Sequence, residues 1–249
     1  MPISPDFTPI YSHDWEVNFI QCTPNKYLRY TDLCNLVQLT AAAHSELGGI
    51  SFVDMQEFHQ AWVLSKMRVE IIEMPKWKDK ITIKTWPTSL EKSRSIRALE
   101  IYVNDEKKIG IETFWAVFNT KKRRPEGIVL PHDHFIKYPE KRATKKTFSK
   151  IILGEECELV TNKTVYLSDL DVVNHVNNVK YLEWCLDFVE DNKIINEKVK
   201  SFDMSFFKEL SLHDEVEIYK ANKENASVFN ITKENKTVFA LELNWEKRQ

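Results

Sequence analysis

Glycine is scarce in this chain, five residues in 249, and the only adjacent pair is Gly48-Gly49. Neither GxGxxG nor GxxxxGK(S/T) occurs, so the glycine loops of dinucleotide and P-loop sites are excluded. Cysteine is equally sparse: Cys22, Cys34, Cys157 and Cys185 form no CxxC pair and share no metal spacing with histidine. Free thiols in a reducing compartment are expected. No apolar run approaches the roughly 18 residues of a membrane span. The N-terminus, MPISPDFTPIYSHDW, lacks the apolar stretch of a targeting peptide. A cytoplasmic location is therefore expected. No charge dominates either, with 35 basic residues against 37 acidic and a net charge of −2. A nucleic-acid binder would show a basic excess. His132 and His134 stand two apart without a third ligand nearby, so no metal is implied, and no cofactor.

What is present is a repeated order of elements. Hydrophobic residues make up 43% of the chain, enough for a full core. DWEVNFIQC (14–22) alternates like a strand. A helix is predicted from about Asp32 to Leu47, because Leu33, Leu36, Val37, Thr40, Ala41 and His44 recur at helical spacing before Gly48-Gly49. Strands follow in WVLSKMRVEIIEM, KITIKTW, SIRALEIYV and IGIETFWAVFN, rich in β-branched and aromatic residues. The second half repeats this: a strand in ELVTNKTVYL, a helix from about Val176 to Asp191, then strands in VKSFDMSFFKEL, EVEIYKAN, ASVFNITKE and TVFALELNW. One segment aligns residue by residue, VEIIEMPKWKDKITI (69–83) against MSFFKELSLHDEVEI (204–218), at a constant offset of 135. The expected class is α+β, two tandem repeats each with a long helix packed on an antiparallel sheet. The expected bounds are 1–120 for the first repeat, 121–157 for a basic linker and 158–249 for the second repeat.

The chemistry concentrates in LSDLDVVNHVNNVKYLEWCLDFVED (167–191). Asp169 and Asp171 precede His175, with Asn174, Asn177 and Asn178 beside it, where an apolar helix pattern begins. A helix N-terminus supplies backbone N–H groups and a positive dipole end, which suit a developing oxyanion. Asn and Asp are also the ordinary capping residues of helix starts.

SDLDVVNHVNNVKYLEW resembles the signature of the acyl–acyl carrier protein thioesterases, and its Asp-x-x-x-His-Val-Asn-Asn core resembles the wider hotdog superfamily. WVLSKMRVEIIEMPKWKDKITIKTWP, IETFWAVFNTKKRRP and FKELSLHDEVEI resemble further parts of that family, so the similarity spans roughly residues 14 to 245. The resemblance implies a double hotdog fold whose first repeat holds the acyl chain and whose second holds the catalytic residues. Asp171 and His175 match the family's acid and histidine, and Glu209 its glutamate on a later strand. The next position, often Cys in the plant enzymes, is Leu210, so a cysteine nucleophile there is ruled out. The family's Asn two residues before the His is Val173 here, which leaves Asn174 or Asn177 to supply an amide.

The activity implied is hydrolysis of fatty acyl–acyl carrier protein thioesters to free fatty acid, by water that a carboxylate and His175 activate. Asp171 is the first candidate for the carboxylate and Glu209 the second; direct attack by Asp171 also stays open. The implied partners are acyl carrier protein and a fatty acyl chain, and the fold allows a homodimer. Because the carrier is acidic, Lys121, Lys122, Arg123 and Arg124 are the expected docking cluster. Acyl-CoA hydrolysis on the same fold and non-catalytic acyl binding are the alternatives.

Overall fold

A computed structural model describes residues 3–152 and 157–246. The chain divides into two compact units, Met1–Ser65 with Ile72–Lys146, and Lys66–Ile71 with Thr147–Gln249. In the first unit, β1 (Tyr11–Glu16), β2 (Gln60–Ile71, its first half), β3 (Lys80–Glu91), β4 (Arg94–Val103) and β5 (Glu106–Asn119) lie in the order β1-β3-β4-β5-β2. The two-residue β6 (Arg124–Pro125) pairs with β5. The long helix α1 (Tyr30–Leu47) and a short α2 (Phe52–Gln56) accompany this sheet. In the second unit, β7 (Glu158–Thr164), β8 (Val199–Phe206), β9 (Glu215–Lys223), β10 (Ala226–Lys233) and β11 (Lys236–Trp245) follow β2's last residues in the order β8-β11-β10-β9-β7. The helices here are α3 (Asn178–Leu186) and α4 (Asp191–Asn196).

α1 forms where the periodicity predicts it. Leu33, Cys34, Leu36, Val37, Thr40, Ala41 and His44 are buried, while Leu39 and Ala42 face solvent. Each fully buried aliphatic side chain contributes about 1.5–3 kcal/mol. The helix ends because Gly49 turns into the left-handed region (φ 68°). Gly49 and Ile50 then donate to the carbonyls of Glu46 and Ser45, satisfying the last turn. The predicted strand 14–22 begins earlier and stops at Glu16, because Gln21 Oε1 accepts the Asn18 N–H and closes a 3-10 turn at 19–21. The second helix is shorter than predicted. Lys220, buried on β9, donates to the Phe188 carbonyl and to Glu190. The helix ends nine residues after it starts, its last turn closed by the Phe188 and Val189 N–H groups on the Cys185 and Leu186 carbonyls, and the Phe188 carbonyl just beyond supplies the acceptor that the buried Lys220 ammonium needs.

The repeat is visible in element boundaries. β2 and β8 end at Ile71 and Phe206, and β3 and β9 begin at Lys80 and Glu215, 135 apart in each case. Upstream the spacing is 148, since α1 begins at Tyr30 and α3 at Asn178. The 13-residue difference falls between helix start and central strand, where an 18-residue α1 stands against a nine-residue α3.

The segment after β6 packs closely. In the first unit, the Trp86 indole donates to the Lys141 carbonyl, Lys107 donates to the Ala143 carbonyl, and Trp86, Ala98 and Ala143 form a cluster with Ile10 and Tyr138. Gly110 lies so close that an added Cβ would meet the Ala143 carbonyl oxygen at 2.0 Å. In the second unit, the Ser149 N–H donates to Asp203.

Beneath α1 the core is partly polar. His44 Nε2 donates to the Thr8 carbonyl (2.9 Å), and its Nδ1 accepts from Arg97 (2.7 Å), so both ring nitrogens are used by the neutral form. Burial first, and the Arg97 charge second, push the His44 pKa down to about 3. Protonation then favours the unfolded chain. The stabilisation is complete above the ordinary histidine pKa near 6.5 and is lost as pH falls from there toward 3. Between pH 7 and 5.5 the protein should lose on the order of 1 kcal/mol to this group. Urea unfolding at the two pH values checks this: His44→Gln should flatten the difference, and an unchanged difference would remove His44 as its source.

Candidate active site

The loop between β7 and α3 is built by the carboxylates that the sequence singles out. Asp169 Oδ2 accepts the Tyr166 N–H (2.9 Å) and its carbonyl accepts the Asn177 N–H (2.9 Å), so Asp169 closes the 3-10 turn at 167–169. Asp171 Oδ1 accepts the N–H groups of Val173 (3.0 Å) and His175 (3.4 Å). The Asp171 N–H donates to the His175 carbonyl, the Asn174 N–H donates to the Asp171 carbonyl, and Leu170 bridges to Val176. The result is a tight loop with Asn174 exposed at its apex at φ 63°. That backbone region favours Asn, which accounts for its identity.

His175 Nδ1 lies 3.6 Å from Glu209 Oε2, with the two side chains 34% and 35% exposed. Glu209 comes from beyond β8 and is held through its neighbour, since the Leu210 carbonyl accepts the Val176 N–H (2.9 Å). Tyr181, one turn into α3, is buried against Trp184, Phe206 and Phe239. Burial raises its phenol pKa, and the Leu210 N–H, bonded to it, opposes that rise. The structure therefore brings His175 and Glu209 together, with Asp171 shaping the backbone that carries His175. Leu210 is buried.

The start of α3 offers fewer backbone donors than the sequence suggests. The N–H groups of Val176, Asn177, Val179 and Lys180 go to Leu210, Asp169, Asn177 Oδ1 and the Asn177 carbonyl. Asn177 is the N-cap. With its Oδ1 fixed on the Val179 N–H, its amide presents the NH₂ as the remaining donor.

The first repeat contains the same frame. Cys22 bridges to Leu28, Thr23 N–H donates to the Tyr27 carbonyl, Lys26 N–H donates to the Thr23 carbonyl, and Lys26 sits at φ 70°. Leu28 N–H donates to Pro75 and Arg29 N–H to Gln21, as Val176 does to Leu210 and Asn177 to Asp169. Thr23, Tyr27 and Met74 occupy the places of Asp171, His175 and Glu209. The geometry is duplicated and the chemistry is not.

Elsewhere, Lys122 pairs with Glu126 (3.1 Å) and Arg123 lies 5.5 Å over the Phe118 ring. Hydrogen bonds from Asn119 and Gln60 hold the Glu126 carboxyl well below the usual range. His132 Nδ1 bonds the Leu130 carbonyl and His134 Nε2 the Gly48 carbonyl. Among the described residues no helix is long and apolar enough to cross a membrane.

Two repeats, each a helix held with an antiparallel sheet and each carrying the same loop frame, define a double hotdog fold. Solved structures agree. The chain superposes on an acyl-ACP thioesterase from Bacteroides thetaiotaomicron with a TM-score of 0.88 at 22% identity, covering 96% of this chain and 98% of that one. The 12:0-ACP thioesterase from Umbellularia californica gives a TM-score of 0.83 at 17% identity, covering 97% and 98%. Residues 9–133 match the acyl-ACP thioesterase N-terminal domain and residues 155–247 the C-terminal domain. The chain belongs to the acyl-ACP thioesterase family. An oleoyl-acyl carrier protein thioesterase of Coriandrum sativum chloroplasts is 24% identical over 228 residues, 83% of this chain and 60% of the relative. The chain thus spans about 60% of the length of that curated relative.

Proposed function

We propose that this protein hydrolyses fatty acyl thioesters carried on acyl carrier protein. The observation that supports it most is the His175–Glu209 contact on a loop braced by Asp171. With Nδ1–H directed at the Glu209 carboxylate, Nε2 keeps its lone pair and can take a proton from water. The carboxylate then stabilises the imidazolium that forms. The 3.6 Å separation shortens as substrate excludes water. Attack gives a tetrahedral oxyanion, for which the Asn177 NH₂ is the donor we assign. A thiol of pKa near about 8.5 leaves with little acid assistance. Asp171 is assigned the bracing of His175, and with it the carboxylate charge beside the site.

In this reading residues 158–249 supply the chemistry, residues 1–120 receive the acyl chain and 121–157 connect them. A cytoplasmic location goes with it, which four reduced cysteines suit. The test is turnover of one acyl group presented on carrier protein and on CoA. The expected result is a higher kcat/KM on carrier protein. Equal or better use of CoA would transfer the chemistry to an acyl-CoA thioesterase, and no thiol release from either would end the hydrolase reading.

A further inference from the structure

The first-repeat loop keeps the frame of the site without its acids, and its surface carries a different set of groups. Phe19 and Ile20 are 71% and 63% exposed, and Trp77 42%. Lys26, Lys76, Lys78 and Lys80 are exposed in the same two segments. Those segments are knitted together by backbone: Trp77 N–H donates to the Lys26 carbonyl (2.9 Å), Lys78 N–H to Val17 (2.8 Å), and Tyr27 bridges to Lys76. Lys76 lies 5.2 Å over the Tyr27 ring and Lys78 5.0 Å over Trp77. Of the acids beside these segments, Asp32 pairs with Arg29 (2.8 Å), Asp79 accepts the Lys76 N–H (2.8 Å), Glu73 pairs with Lys108 (2.9 Å), and Glu16 stands opposite Lys80 across the β1–β3 ladder. The patch therefore combines exposed apolar rings with cations on a fixed backbone. Aromatic residues are enriched in the cores of protein interfaces, with charged groups at the rim.

The second repeat shows that the loop frame does not require these lysines. Their equivalents are Asn174, Ser211, His213 and Glu215, and those of Phe19, Ile20 and Trp77 are Leu167, Ser168 and Leu212. Lysine stands at these four positions in the first copy and at none of them in the second, and the charge suits an anionic partner.

We infer that this face of the first repeat docks the acidic protein that carries the acyl group, an inference that rests on the function proposed above. Complementary charge raises the encounter rate and sets the register of such a complex. A bilayer fits less well, because Trp77 lies beneath the Lys78 ammonium, which would have to enter the apolar phase with it. The turn at Lys121–Arg124 is the other basic candidate. There Lys122 is paired with Glu126 (3.1 Å).

The test is the triple variant K26E/K76E/K78E in the full chain, with R123E/R124E alongside. Binding of holo-acyl carrier protein is measured directly by calorimetry, and turnover with both a carrier-bound acyl group and the same acyl N-acetylcysteamine thioester. The triple variant should bind carrier at least about tenfold more weakly and raise KM for the carrier substrate similarly, sparing kcat and the small thioester. R123E/R124E should change binding by less than about threefold. Unchanged carrier binding in the triple variant, or equal losses on both substrates, overturns the inference. So does loss of binding to phosphatidylglycerol vesicles with carrier binding intact. Because binding is read without turnover, lysine-dependent carrier binding in a protein that cleaves no thioester would leave this surface standing and remove the hydrolase reading.

Discussion

Glu209→Gln is expected to lower kcat by about 10²–10³-fold with KM nearly unchanged, the range that general-base assistance supplies. The neutral amide can still meet the imidazole at the 3.6 Å position, so the loop folds as before. What it loses is the charge that stabilises the imidazolium. A variant with full activity would remove Glu209 from the site. Asp171→Asn keeps an oxygen for the Val173 and His175 N–H groups. A fall equal to that of Glu209→Gln gives both carboxylates a part in activating the water. A fall confined to Glu209→Gln leaves Asp171 as the brace.

Arg68→Met should destabilise the fold by about 3–5 kcal/mol, a loss that urea unfolding checks. Arg68 and Asp203 face each other across the β2–β8 ladder, 4% and 2% exposed, and are directly bonded. Burial raises the Asp203 pKa even beside this cation, so the carboxylate depends on its partners. Arg68 also pairs with Glu70 (2.9 Å), and the Ser149 N–H reaches Asp203 (3.1 Å). Removing Arg68 leaves a charge in a place with little water. The double variant R68M/D203L, apolar at both positions, should recover most of the loss, because a buried ion pair and its apolar replacement are often close in energy. A cost below about 1 kcal/mol for Arg68→Met would show that solvent reaches the pair.

The parts of this structure governed by side-chain periodicity are legible in the sequence. α1, the strands and the aligned hairpins at an offset of 135 follow from where Val, Ile, Leu and Phe recur. His175 stands out from the loop's own residue types, but its pairing with Glu209 is legible only through family resemblance, since nothing local links residues 34 positions apart. Other features depend on backbone or on distant partners. The 148-residue repeat of the loop is hidden because Thr23 and Tyr27 bear no likeness to Asp171 and His175, and its frame is made of N–H and carbonyl groups that every residue carries. The carbonyl just beyond α3 is taken by Lys220, a residue of another element. The packing of 128–146 depends on single fits such as Gly110 under Ala143, which leave no periodic trace.

The duplicated loop also bears on how this chain can change over generations. A protein made of one hotdog that pairs with its own copy inherits every substitution twice, so a lysine gained for recognition would appear beside each reacting histidine. Here Lys76 and Ser211 hold matching places but are encoded separately. Mutation can alter one loop's charge while the other keeps its acids, and the two tasks need not compromise within a single set of codons.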